Sequence, residues 1–452
     1  MSEKFQTKSG KMSRRDLLKA MSMSAAGLAL SACTTPAQPT KAGPAATAAP
    51  AGPVEIIFHG RTGSQGDFWL AYAEKFTKEI NPKITLKVEL TPFADYDTKL
   101  NTLVAGGQLG DAYHTYPFGI MYNFAAKGAA MALDSLLAAD PAWDPKQFFD
   151  SANELIKWNG KAYAVPIGIH AGWSSMPINL DLWEKAGAPL PKWEWSYEKE
   201  WIEAVTKVQN YLNTLTDKKR FAYRFDYNAQ NSLLFIMSFG GDWIEPKERK
   251  KATVDTEPSM KGLQFMRDLV NKYKVSPKKA ELVDNDYVNQ LVASWSVNAA
   301  AFGNIKNTVK DFKWQAFPAP SGPNGTRGTF VGIDFFCINA KSQKAQACME
   351  WFKYIVLNPD TAKALLGAGF SPSPIKANWE KEPLSTDPSY QQVKQWLTVA
   401  KGWTLPHNAR VSEFNQAFAS GVEGIMNEAN DFKTEIANLQ KKVQAVLDMP
   451  PA

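Results

Sequence analysis

Apolar and polar positions along this chain follow two rhythms, and the order of those rhythms predicts an architecture. Val54-Glu55-Ile56-Ile57-Phe58 is a compact apolar run that predicts a buried strand. The loop Gly60-Arg61-Thr62-Gly63-Ser64-Gln65-Gly66 follows, with Ser64 or Asp67 placed to cap a helix. Trp69, Tyr72, Ala73, Phe76 and Ile80 then recur at helical spacing until Asn81-Pro82. Ile84, Leu86, Val88 and Leu90 alternate with Thr85, Lys87 and Glu89, which predicts a strand with one polar face. Tyr96, Leu100, Leu103 and Val104 predict a second helix, stopped by Gly106-Gly107. Strand, helix, strand, helix is the pattern of an α/β layer with a mostly parallel sheet. The same alternation returns downstream. Met260, Leu263, Met266, Val270 and Tyr273 form a helical stripe, and Phe330 to Ile338 reads as a strand. Ala345, Cys348, Met349, Phe352, Ile355 and Val356 form a helix closed by Asn358-Pro359, and Phe432, Ile436, Leu439, Val443 and Val446 a terminal one. These stripes are core faces, and no short internal repeat accompanies them.

With 452 residues the chain is long enough for two to four domains, and 44% hydrophobic and 21% charged residues match a soluble globular protein. The first thirty residues carry a different message. Ser13-Arg14-Arg15-Asp16-Leu17-Leu18-Lys19 is a twin-arginine export pattern. The apolar stretch Ala20 to Leu30 is too short to cross a bilayer as a helix. It ends at Leu30-Ser31-Ala32-Cys33, the order of small residues and Cys found in a bacterial lipobox. Residues 1–32 are therefore expected to be a signal peptide, removed to leave a lipidated Cys33. Residues 33–53, rich in Ala, Thr, Pro and Gly, are expected to be an extended tether. Six basic and two acidic residues in 1–32 carry four of the six net positive charges, which leaves +2 for the remainder. That balance calls for no nucleic-acid partner. Cys337 and Cys348 fall on a strand and on the core face of a helix, and buried free thiols are expected in preference to a bridge.

Four segments carry a resemblance. Asn159-Gly160-Lys161-Ala162-Tyr163-Ala164-Val165-Pro166 is one. Ile178-Asn179-Leu180-Asp181-Leu182-Trp183-Glu184-Lys185-Ala186-Gly187 is another. Gly240-Gly241-Asp242-Trp243 and the strand from Phe330 through Asp334 to Asn339-Ala340, leading into the helix of Ala347–Ile355, complete the set. In this order and spacing the chain resembles the family 1 extracellular solute-binding proteins, the group that contains maltose-binding protein. One segment of that family's pattern is matched only loosely, around Leu291–Ala301. The resemblance implies a periplasmic-binding-protein type II fold: two α/β lobes joined by hinge strands, with a ligand cleft between them. It places one lobe at 54–169 plus 316–357 and the other at 172–314 plus 361–452, with hinges near His170 and Ala316. With the N-terminal pattern, the expectation is a lipoprotein on the extracytoplasmic face of the membrane, a monomer; with four His and no ligand spacing, no metal and no cofactor are expected. Such a protein captures a small solute, foremost a mono- or oligosaccharide, and hands it to the permease of an ABC importer.

Sugars offer hydroxyls to planar polar groups and C–H faces to aromatic rings. By their position after strands or beside the hinge, the expected ligand-binding residues are Arg61, Gln65, His114, Tyr116, Trp173, Trp243, Trp295, Phe302, Asp334 and Trp403. Trp69, Trp183, Trp201 and Trp351 fit helical stripes instead. Asp334 interrupts an apolar strand and needs a partner, either ligand hydroxyls or an internal Arg. His114 and His170 are open between ligand contact and satisfied loop positions. A cell-surface carbohydrate hydrolase is the alternative from another class. It needs two carboxylates across a scissile bond, and Asp111, Asp226 and Asp334 show no pairing in the sequence. A surface adhesin is a third reading, and it would need no closing cleft. HExxH, Gly-x-Ser-x-Gly and a His/Cys cluster with metal spacing are all absent from the sequence.

Overall fold

A computed structural model describes residues 52–116 and 120–452. The expected signal peptide, the lipidation site Cys33 and the tether up to Ala51 lie outside the described residues.

The chain opens with β1 (Val54–Arg61), α1 (Ser64–Lys75), β2 (Ile84–Thr91), α2 (Tyr96–Ala105) and β3 (Ala112–Thr115). β1 pairs in parallel with β2 over its whole length, from Val54 opposite Ile84 to Arg61 opposite Thr91, and with β3 through Phe58 and His59. A hairpin of β4 (Lys157–Trp158) and β5 (Lys161–Ala162) turns on Asn159 and Gly160, both left-handed at φ 48° and 78°. Next come β6 (Val165–His170) and β7 (Ser175–Asn179), then α3 (Ala229–Ser238) and α4 (Glu257–Asn271). β8 (Trp314–Pro318) precedes β9 (Phe330–Ile338), α5 (Ala345–Leu357) and the short β10 (Lys401–Gly402). Two helices close the chain, α6 (Val411–Met426) and α7 (Phe432–Leu447).

β9 organises the first sheet. It runs antiparallel to β3 and β6 and parallel to β10, which explains why its sequence is almost continuously apolar. α1 and α5 lie against this sheet: Phe58 meets Trp69 at 5.2 Å and Trp351 at 6.3 Å, both edge to face. The second sheet is built on the antiparallel pair β7–β8. Single bridges add segment 292–297 beside β7 and segment 221–224 beyond it, the latter in parallel. α3, α4, α6 and α7 pack together, and their buried faces include Leu263 and Met266 of the stripe read from the sequence.

Several local expectations change. Neither Ser64 nor Asp67 caps α1. Gly63 stands at the cap with φ 82° and no side chain to offer, and the Ser64 hydroxyl donates to the carbonyl of Ala368 at 2.9 Å. Ile80 is 52% exposed, not core. Asn81 N–H bonds the Phe76 carbonyl at 3.0 Å, five residues back, so the widened turn rotates Ile80 off the buried stripe. Ala316 lies inside β8, opposite Pro177, so the return crossing to the first sheet follows Pro318 and not Ala316. Within 361–452, the stretch around Phe370–Ile375 joins the first sheet's side: Ile169 N–H bonds Pro372 O at 2.7 Å and Phe149 N–H bonds Pro374 O at 3.1 Å. Cys337 and Cys348 are both buried and free, and burial pushes each thiol pKa up.

Candidate functional site

Parallel strands end on the same side, and in open α/β sheets ligands bind beyond the carboxyl ends of the strands. Arg61 is the last residue of β1, and Tyr116 follows β3. Phe93, Tyr96 and Asp97 lie where β2 gives way to α2. The Tyr96 hydroxyl bridges the carbonyls of His59, at 2.9 Å, and His114, at 2.7 Å, tying the ends of β1 and β3 together. Around this brace the Arg61 guanidinium lies 3.9 Å from the ring centre of Tyr116, 4.8 Å from Phe93 and 5.6 Å from Tyr96. Such contacts stabilise a cation without quenching its charge.

Arg61 is 8% exposed and forms no ion pair among the described residues, and its Nε and Nη2 have no hydrogen-bond partner. Two carboxylates face it at longer range. The Asp97 Oδ2 accepts the Tyr116 hydroxyl at 2.9 Å, while its Oδ1 is unpartnered. Burial raises the Asp97 pKa, opposed by the Tyr116 hydrogen bond and by Arg61. Burial likewise raises the Asp334 pKa, opposed by hydrogen bonds from Ser371 and by the Arg61 charge. Gly168 lets this approach happen, because a Cβ there would sit 2.8 Å from the Ser371 Cβ and 3.0 Å from the Asp334 Oδ2. His114 is buried with neither ring nitrogen bonded, and burial with help from Arg61 drives its pKa well below the ordinary value. The cluster therefore presents a charged fork, a neutral imidazole, two carboxyl groups and aromatic faces. It can donate to and accept from a polar molecule while covering its apolar faces.

The crossing between sheets adjoins this cluster through β9. His170 ends β6 opposite Gly332, with Trp173 at 5.9 Å and Phe330 at 6.5 Å from its ring centre. From the second sheet, the Ser296 hydroxyl donates to the Trp173 carbonyl at 2.7 Å. Trp295 beside it is half-buried under Arg224, 5.0 Å from the ring centre, and Arg224 pairs with Asp226 at 2.7 Å and Asp286 at 2.6 Å. Burial lowers the His170 pKa to about 4. The folded state thus binds this proton less readily than the unfolded chain, whose imidazole titrates near 6.5. The stabilising contribution is complete above about pH 6.5 and disappears as pH falls through about 4, a difference of about 3 kcal/mol. Melting temperature should fall across that window, and His170→Phe should flatten the fall. An unchanged profile would remove His170 from the account.

Of the ten residues expected to face ligand, Arg61, His114, Tyr116 and Asp334 gather around one point. Gln65 stands at its margin, where its Nε2 donates to the Gly369 carbonyl at 3.2 Å, and Trp173 and Trp295 belong to the crossing and the second sheet. Three others sit in the core. Trp243 is fully buried, donates its N–H to the Thr404 carbonyl at 3.0 Å and packs on Phe414 at 5.3 Å. Trp403 is 5% exposed between Trp243 and Tyr122. Phe302 is buried between Trp314 and Tyr390. The turn Gly240-Gly241 does not open Trp243 to solvent; it lets the chain fold Trp243 onto α6. Conversely, the expected set does not include Phe93, Tyr96, Asp97 and Ser371, which the fold brings to the same cluster. Pro92-Phe93 directly after a strand end was a usable signal, whereas Tyr96 reads as an ordinary helical stripe. Ser371 has no local signal at all, since its neighbour Pro372 meets β6 only through the fold.

Strands of two sheets, joined at a crossing and ending in a cluster of unspent polar groups beside aromatic rings, describe a protein that holds a solute. The chain belongs to the bacterial extracellular solute-binding proteins, a family matched by residues 59–362. A curated binding protein of Brucella abortus (strain 2308) is 23% identical over 333 residues, 72% of this chain and 77% of that protein. Among solved structures, the ABC substrate-binding protein of Listeria monocytogenes in complex with cycloalternan aligns with a TM-score of 0.76 at 19% identity, covering 87% of this chain and 98% of that one. The GacH receptor of Streptomyces glaucescens GLA.O, solved unliganded and with acarbose, aligns at 0.74 and 20% identity, covering 88% and 99%. The fold is that of the type II periplasmic binding proteins. Among the described residues no helix is long and apolar enough to cross a membrane.

Proposed function

We propose that this protein captures a sugar between two lobes, by closure about the crossing at 170–175, and delivers it to the permease of an ABC importer. The lobes are 54–169 with 316–357 and 172–314 with 361–452, adjusted for the segments noted above. A lipid on Cys33 and the tether of 33–53 hold the protein at the extracytoplasmic face of the membrane, where it acts as a monomer. The protein makes and breaks no bond in its solute. The observation that carries this reading is the cluster at Arg61. Its buried nitrogens, the imidazole of His114 and the Oδ1 of Asp97 lack hydrogen-bond partners in the protein, and each is costly to bury unless a ligand engages it. Hydroxyl groups serve donors and acceptors alike, and the surrounding rings suit the C–H faces of a sugar. The Listeria and Streptomyces neighbours were solved with cycloalternan and acarbose. A ligand engages both lobes and thereby biases a two-state equilibrium toward closure.

Titration calorimetry with mono- and oligosaccharides, joined to solution scattering, tests the proposal. A bound sugar should raise the melting point and contract the particle, and it should be recovered unchanged after long incubation. Phe93 gives the panel internal resolution. It is 65% exposed and stacks on Tyr116 at 6.1 Å and 22°, a platform at the rim of the cluster. Phe93→Ala should weaken oligosaccharide binding about tenfold, a stacking loss of ~1.5 kcal/mol, and leave the melting point of the free protein unchanged. Equal affinity of both proteins for every bound sugar would dismiss the platform.

A further inference from the structure

Far along the chain from Arg61, a half-open cavity of about 590 Å³ lies where the helix Ile202–Leu212 and α4 both end. Its wall includes Lys218, Lys219, Arg220, Lys274 and Lys278, against the carboxylates Glu281 and Glu428. Asp217, just behind Arg220, leaves a local balance of +2, as much as the whole chain carries after residue 32. Part of this charge is spoken for. Lys219 pairs with Glu281, and Arg220 grips Asp217 with Nη1 at 2.6 Å and Nη2 at 2.9 Å. The ammonium groups of Lys218, Lys274 and Lys278 form no salt bridge among the described residues, although Lys218 acts through space on Asp217 and Lys278 on Glu281. The two helix ends account for some of them, since each contributes about half a negative charge. A small positive excess remains on the wall.

The floor of the cavity adds an independent observation. Ser276 is 2% exposed, and its hydroxyl has no hydrogen-bond partner. A buried hydroxyl left unbonded is a costly arrangement for the protein alone, and it lies under solvent-exposed lysines. We propose that this cavity is a second binding site, separate from the solute site, for a phosphate-bearing anion. Lysines act there as mobile point charges on the phosphate oxygens, and Ser276 donates from below. The phosphate can come from a phospholipid headgroup or from a soluble phosphoanion.

Calorimetry of the full chain with pyrophosphate, and flotation with vesicles of phosphatidylglycerol or of phosphatidylcholine, test the site and its source together. The double variant Lys218→Glu/Lys274→Glu should weaken pyrophosphate binding at least about tenfold, and salt should weaken the wild type. Lys278→Gln should weaken it about threefold without reversing a charge. Melting points close to wild type would show that both variants fold. Saturable pyrophosphate binding lost in the double variant assigns a soluble anion. Retention on phosphatidylglycerol alone, lost in the same variant, assigns the headgroup. If neither probe separates wild type from the double variant, the site does not exist. If Arg61→Met removes pyrophosphate binding and the double variant keeps it, the anion belongs to the solute site and the proposal falls.

Discussion

Arg61→Met is expected to abolish measurable solute binding while leaving the free protein as stable as before. The guanidinium holds two buried N–H groups in reserve, and a hydrogen bond to a charged group contributes about 1.5–3 kcal/mol. Losing both should weaken binding by about a hundredfold or more. Stability should barely move for a separate reason. A buried cation without an ion pair is expensive, and the rings of Tyr116, Phe93 and Tyr96 offset only part of that cost. Methionine fills similar space and has no charge to desolvate. Arg61→Lys keeps the charge without the planar fork and should fall between the two. Calorimetric titration and thermal melts on the three proteins check this. A large drop in melting point for Arg61→Met would make Arg61 a structural residue.

The second large effect concerns stability at the crossing. A Cβ on Gly332 would lie 2.2 Å from His170 Cε1 and 2.3 Å from its Nε2. His170 cannot swing away, because it is buried, paired through its backbone with Gly332 and walled by Trp173 and Phe330. Gly332→Ala should destabilise the protein by about 3 kcal/mol, at the upper end for overpacking a dense interior. Solute affinity should also fall, since the displaced strand carries Asp334 two residues on. The double variant Gly332→Ala/His170→Ala should recover most of the loss, a coupling that denaturant unfolding of the four proteins measures. Additive losses would show that the ring is not what Gly332 accommodates.

Neither residue announces its role locally. Arg61 was legible as a candidate because it follows a strand, but its cage was not, for it assembles from the ends of β1, β2 and β3. Gly332 looks like any glycine in a strand until β6 is laid against β9. Trp243, Trp403 and Phe302 show the opposite case: aromatic rings near turns and helix starts, suited to a ligand, that the packing uses as core. A tryptophan's pattern of neighbours in sequence is the same whether its ring meets a sugar or α6.

The sequence by itself determined the elements. Its periodicities placed β1, β2, α2, α4, β9, α5 and α7 close to their observed bounds, because burying one face of a helix or strand is a constraint each segment meets with its own residues. The order of motifs determined the family for the same reason, since each motif is a local strand, turn or helix start. The tertiary structure alone decided which side chains meet: Asp334 with Ser371, Arg61 with Tyr116 and Phe93, His170 with Gly332. Those encounters depend on strand order and register between segments dozens to hundreds of residues apart, where one residue of slip sends a side chain to the opposite face of the sheet.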